Sequence, residues 1–126
     1  MPNFSSTSKE RLATCHQDLQ TLFNEVIKEF DCTILCGFRN QEDQDAAFNQ
    51  GRSKLKWPHG KHNLSPSFAV DACPFPAPEV WSVETFKEFA DKVKEVAKRL
   101  QIDITYGGDW ADFPDEDHYQ LNIKSC

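Results

Sequence analysis

The chain has no apolar run near the roughly 20 residues that cross a bilayer, and its opening MPNFSSTSKERL lacks the apolar core of a secretory signal. Both absences argue against a membrane partner and lead to the expectation of a protein made and folded in the cytoplasm. Positive charge is also scarce. Fourteen Lys and Arg stand against 20 Asp and Glu, a net charge of −6. Nucleic-acid binding needs a concentrated basic surface, so no nucleic-acid partner is expected. No repeat and no linker interrupts the 126 residues, which favours one domain over 1–126, with a monomer as the default.

An even cysteine count is missing too. The five cysteines, at 15, 32, 36, 73 and 126, leave one unpaired in any scheme. Cys32 and Cys36 bracket an apparent strand, CTILC, where four steps separate them by roughly 13 Å. A disulfide needs Cα atoms within about 7 Å. Sharing a face with Ile34, these two cysteines are expected to be small buried hydrophobes.

What is present is an ordinary globular pattern, 39% hydrophobic and 12% aromatic. Thr7 and Glu10 make a capping box. After it Leu12, Cys15, Leu19, Leu22, Phe23, Val26, Ile27 and Phe30 recur at spacings of three and four, which predicts one long helix. NQEDQDAAFNQG (40–51) reads as a second helix, with Asn40 as N-cap and Gly51 past its end. Ser82 caps a third, with Phe86, Phe89, Ala90, Val93, Val96, Ala97 and Leu100 on its buried stripe. CTILC, SFAVDA, IDITY and HYQLNI read as strands. The pattern implies an α+β domain with helices packed on a small, mainly antiparallel sheet.

Strand alternation sorts the polar residues. In 67–72, Asp71 falls on the face opposite Val70 and Ala72. In 118–123, His118 falls opposite Tyr119 and Leu121. If both strands share a sheet, its polar face holds Asp71 with His118, and the loop before the first strand can bring in His62. Two imidazoles and a carboxylate are a recurrent catalytic zinc set that leaves a fourth position for water. The alternative at these positions is surface or hydrogen-bonded core side chains, and spacing alone does not choose. Asp109, Asp112, Asp115, Glu116 and Asp117 crowd just before His118. A solvated acidic loop is one account of them. A general base for a hydrolytic water is the other.

Four motifs then occur in order: GFRNQEDQ (37–44), GKHNLSPSFAVD (60–71), GGDW (107–110) and DEDHYQL (115–121). Together they resemble the VanY-type zinc peptidases, comprising D-alanyl-D-alanine carboxypeptidases and the L-alanyl-D-glutamate endopeptidases of phage endolysins. The single-domain phage-type branch is the nearer match. The resemblance implies a hedgehog/DD-peptidase-like fold and zinc held by His62, Asp71 and His118. It implies Asp115 as catalytic acid/base and Arg39 as the group that polarises the scissile carbonyl or steadies the oxyanion. The other account of Arg39 is a salt bridge to the acids at 42–45. Gln44 falls where the family has a recurrent Gln, implied to bind substrate or orient a ligand, or else to lie on an exposed helix face. The implied substrate is the peptidoglycan stem peptide, cut between L-Ala and D-Glu by an endolysin-type hydrolase released from the cytoplasm to the wall. A D,D-carboxypeptidase or dipeptidase of the same fold, or a non-catalytic zinc-binding module, stands as the alternative. Two departures mark this chain. Gly60 stands where many relatives have Ser, and the His-to-Asp spacing is two residues longer than in the carboxypeptidase branch.

Overall fold

In the computed structural model, which describes residues 3–76, 82–110 and 116–122, the apolar repeat ending at Phe30 forms two helices where one was expected. α1 spans Ser6–Leu12 and α2 spans Gln17–Glu29. The break has a physical cause. Ser67 N donates to the Thr14 carbonyl at 2.9 Å and His16 N donates to the Ser67 carbonyl at 2.8 Å, so the chain at 14–16 pairs sideways instead of continuing the helix. His16 is then the N-cap of α2, its Nδ1 accepting from Asp18 N at 3.0 Å. The cap of α1 is Ser5, which accepts from Ser8 N at 3.1 Å, rather than Thr7.

The other two helices begin as expected. α3 (Gln41–Asn49) is capped by Asn40 accepting from Asp43 N, and Gly51 follows it with φ 76°. α4 (Val83–Leu100) is capped by Ser82 accepting from Thr85 N.

β1 (Cys32–Cys36), β2 (Ala69–Pro74), β3 (Ile104–Tyr106) and β4 (His118–Leu121) form one sheet in the order β1-β2-β4-β3. Every pairing is antiparallel. One face carries Ile34, Val70, Ala72, Tyr119 and Leu121 into the core, where they meet Leu19, Leu22, Phe23 and Val26 of α2 and Phe89, Val93 and Val96 of α4. Each Val, Leu, Ile and Phe among them contributes about 1.5–3 kcal/mol when fully buried. The edge strand β1 is covered by α1. Ser8 Oγ accepts from Ile34 N at 3.1 Å and Arg11 donates to the Ile34 carbonyl at 3.0 Å, closing an edge that would otherwise invite pairing.

A bulge corrects one reading of the sequence. Ile34 pairs with Ala72, but Cys36 pairs with Asp71, because the register shifts between Ile34 and Cys36. The extra residue turns Cys36 away from the core face shared by Cys32 and Ile34 and onto the face of Asp71. Cys32 is the small buried hydrophobe expected. Cys36 is not.

Candidate active site

β2 and β4 are neighbours, and Asp71 and His118 are direct partners in their ladder. Antiparallel partners point the same way, so carboxylate and imidazole emerge together on the polar face. His62 arrives from a 3₁₀ turn over Lys61–Asn63, just before β2. This turn is anchored: Arg39 N donates to the His62 carbonyl at 2.8 Å and Asn63 N to the Gly60 carbonyl at 3.0 Å. All three side chains are nearly closed off, at 5% exposure for His62, 8% for Asp71 and 7% for His118.

Their polar atoms form a near-equilateral triangle. His62 Nε2 lies 3.2 Å from Asp71 Oδ1 and 3.3 Å from His118 Nδ1, and His118 Nδ1 lies 3.3 Å from Asp71 Oδ1. The outer nitrogens fix the tautomers. His62 Nδ1 donates to the Gly37 carbonyl at 2.8 Å, and His118 Nε2 donates to Gln120 Oε1 at 2.8 Å. In the neutral rings this leaves the lone pairs of His62 Nε2 and His118 Nδ1 facing Asp71. Burial disfavours a charged His62, but the adjacent Asp71 carboxylate outweighs it and pushes the imidazole pKa up to about 10. Asp71 feels the same pairing. Burial would raise its pKa, yet the two histidines hold it well below the usual carboxylate range.

Cys36 adds a sulfur to this cluster. Cys36, His62 and Asp71 offer ligand atoms that all lie within 4.8 Å of one another, a second group able to hold a metal ion. It overlaps the first in His62 and Asp71. The His62–Asp71–His118 triangle is the tighter of the two.

Arg39 lies beside the triangle. Its Nη2 is 3.3 Å from Asp71 Oδ2 and its Nη1 donates to Gln44 Oε1 at 3.2 Å, so its ion pair reaches across to β2. Gln44, on α3, is 1% exposed and bonded to four protein groups, including Asn63 Nδ2 and the Leu55 carbonyl. It is not on an exposed helix face. The Trp110 ring packs 5.1 Å from that of His118 at a 42° tilt, which walls one side of the cluster. His59 is exposed, as are Arg52, Lys54, Lys56 and Lys61, the basic run of the loop after α3. Asp112 and Asp115, with residues 77–81, Ile123 and Cys126, lie outside the described residues.

The departure at Gly60 has a local explanation. A Cβ added there would come 2.8 Å from Asn63 Oδ1, which instead accepts from Gly60 N at 2.8 Å. At Gly37 an added Cβ would overlap Thr14 Oγ1 and the Arg11 carbonyl, so the residue whose carbonyl orients His62 has to be small.

Residues 2–124 match the family described as phage L-alanyl-D-glutamate peptidase. The chain belongs to this family. It is accordingly a peptidase acting on peptidoglycan. Among curated proteins no sequence matches. Among solved structures the fold of this family member is similar to that of the Serratia marcescens L-Ala D-Glu endopeptidase ChiX, with a TM-score of 0.80 at 23% identity, over 95% of this chain and 90% of that one.

Sequence reasoning missed the groups behind the triangle. Gln120 was legible in principle, two residues from His118 on the same strand face. The Gly37 carbonyl and the Cys36 sulfur were not, because a bulge leaves no mark in strand alternation.

Proposed function

We propose that this peptidase cleaves the L-Ala–D-Glu bond of the stem peptide with a zinc ion held by His62, Asp71 and His118, with Asp115 and Arg39 as catalytic groups. The observation that carries this reading is the donor triangle. Zinc bonds to nitrogen and oxygen of about 2.0–2.1 Å in a tetrahedron would set neighbouring donors roughly 3.3 Å apart, and the three separations are 3.2, 3.3 and 3.3 Å. The chemistry of the set fits as well, with two imidazoles of fixed tautomer and one carboxylate oxygen.

When bound, zinc supplies a Lewis acid and lowers the pKa of water from 15.7 to about 7. The protein's own residues do the rest. Asp115, three residues before His118, accepts the proton of the attacking water and delivers it to the departing D-Glu amine. Arg39 directs guanidinium donors at the developing oxyanion while one of its N–H groups stays on Asp71. Gly37 and Gln120 keep His62 and His118 in the tautomers that leave their inner nitrogens free. The exposed basic run at 52–61 meets the carboxylates of an acidic stem. The reading takes the chain as a monomeric single domain that reaches the wall from the cytoplasm.

Mass spectrometry of digested peptidoglycan tests this directly. New L-Ala carboxyl and D-Glu amino ends should appear with zinc and vanish with a chelator. Asp115→Asn should keep zinc and lose about 10²–10⁴ in rate, the usual contribution of general acid–base catalysis. Release of D-Ala instead would transfer the chain to the carboxypeptidase reading. Full activity of Asp115→Asn would remove the assignment of the base.

A further inference from the structure

Gln44 is almost completely buried, and every hydrogen-bonding position of its amide is occupied. Oε1 accepts from Arg39 Nη1 at 3.2 Å and from Asn63 Nδ2 at 3.0 Å. Nε2 donates to Ser53 Oγ at 3.0 Å and to the Leu55 carbonyl at 2.6 Å. No valence is left for a substrate, so direct substrate contact does not account for this residue.

The four bonds join three separate segments. The acceptor side holds the guanidinium that faces Asp71 and, through Asn63, the turn that carries His62. Asn63 Nδ2 also donates to the Arg39 carbonyl at 3.1 Å, so these two groups move as one. The donor side holds the start of the basic loop. Arg52 N and Ser53 N are tied to the Ala47 carbonyl, and past that point Leu55 is held through Gln44 and Ser53, with Leu55 N donating to Ser53 Oγ at 3.1 Å. The Leu55 side chain itself is exposed. Two fixed acceptor bonds and two fixed donor bonds make the amide directional: its two ends serve different jobs.

We propose that Gln44 is a positioning residue that couples the basic loop to Arg39, so that the grip on an acidic stem peptide and the placement of the catalytic guanidinium depend on one buried amide. The inference rests on the roles given above to Arg39 and to the loop. It goes beyond them in predicting that the two functions separate according to which end of the amide is removed.

Gln44→Glu keeps an acceptor for Arg39 and Asn63 but replaces both donors to the loop. Gln44→Leu removes both ends. With zinc-loaded protein and a defined stem-peptide substrate, Gln44→Glu should raise KM roughly five- to tenfold with kcat within about twofold, a loss of ground-state grip. Gln44→Leu should raise KM similarly and also lower kcat by about tenfold, a loss in the transition state. A purely structural role would move both parameters together in both variants, and that result, or wild-type values in both, overturns the proposal. Amide hydrogen exchange of the metal-free protein provides a readout independent of activity. Exchange over 53–57 should quicken in both variants while α4 stays unchanged. If the wild-type chain cuts no stem peptide, the functional reading falls and this exchange result alone decides the coupling: equal exchange in wild type and variants refutes it. Should Gln44→Leu fail to fold, Gln44→Glu still carries both measurements.

Discussion

The two faces of the sheet are built from alternate residues of the same strands, yet they follow opposite rules. On one face Val70, Ala72, Tyr119 and Leu121 are sealed under α2 and α4. On the other, one residue away along each strand, Asp71 and His118 stand with Arg39, Cys36 and Gln120 around them. The core face gains from any well-packed apolar group. The site face instead carries a buried carboxylate against two imidazoles and a guanidinium, an arrangement whose desolvation is offset only by full mutual pairing. The lesson is that the site is stiff because it is mounted on the core. Asp71 and His118 are held by a ladder whose other side is packed into the core, and His62 joins them from the anchored turn before β2.

The sharpest way to break that contrast lies among the donors themselves. Two overlapping sets share His62 and Asp71: one is completed by His118, the other by Cys36. His118→Ala should sharply lower zinc retention after dialysis and lower activity by more than about 10³, since it removes a donor of the tighter triangle and leaves only the looser set completed by Cys36. Cys36→Ala should retain zinc and leave activity within about threefold. Metal content by atomic emission, measured beside turnover, checks both. The reverse pattern would assign the ion to the sulfur-containing set. It would also make the bulge in β1 the feature that builds the centre.

A smaller effect is expected one step outward. Gln120→Leu leaves every donor of the triangle in place but removes the acceptor that holds His118 Nε2–H at 2.8 Å. Outer partners of this kind are worth about 10–100-fold in metal affinity. Zinc affinity by chelator competition should weaken by that factor, and thermal stability of the metal-free protein should change little. An unchanged affinity would mean that the sheet alone orients the ring, strengthening the case for a centre held by its mounting.

Much of this arrangement was legible in the amino-acid order. Alternation in SFAVDA and HYQLNI put Asp71 and His118 on a common polar face, and antiparallel pairing of those strands did the rest. The N-caps Asn40 and Ser82 were legible because a short polar side chain before an apolar period has a local physical meaning. Non-local pairing was not legible. The helix break at residues 13–16 depends on Ser67, more than fifty residues away, and periodicity runs straight through it. The same holds for Cys36, whose face is set by a register shift, and for Gln44, whose four partners come from segments that composition cannot bring together. The family motifs marked Gln44 as a position of interest, but only the hydrogen bonds say what it touches.

The mildest prediction concerns the core face at the residue next to His118. Tyr119 is completely buried, stacks on Tyr106 with ring centroids 4.9 Å apart, and meets Phe23 and Phe89 edge-on. Among the described residues its hydroxyl has no hydrogen-bond partner, and burial pushes its ionisation far upward. A buried polar group without a partner is penalised by roughly 1–3 kcal/mol, so its removal should help if the ring keeps its packing. Tyr119→Phe retains every aromatic contact and deletes only the oxygen. It should raise stability by about 1 kcal/mol, a shift of roughly 3–6 °C in Tm for a chain of this size, with activity within about twofold. A loss of stability on the same scale would show that the hydroxyl is bonded. The core face would then also rely on a polar contact, and the division of labour between the two faces would be weaker than the alternation along β4 implies.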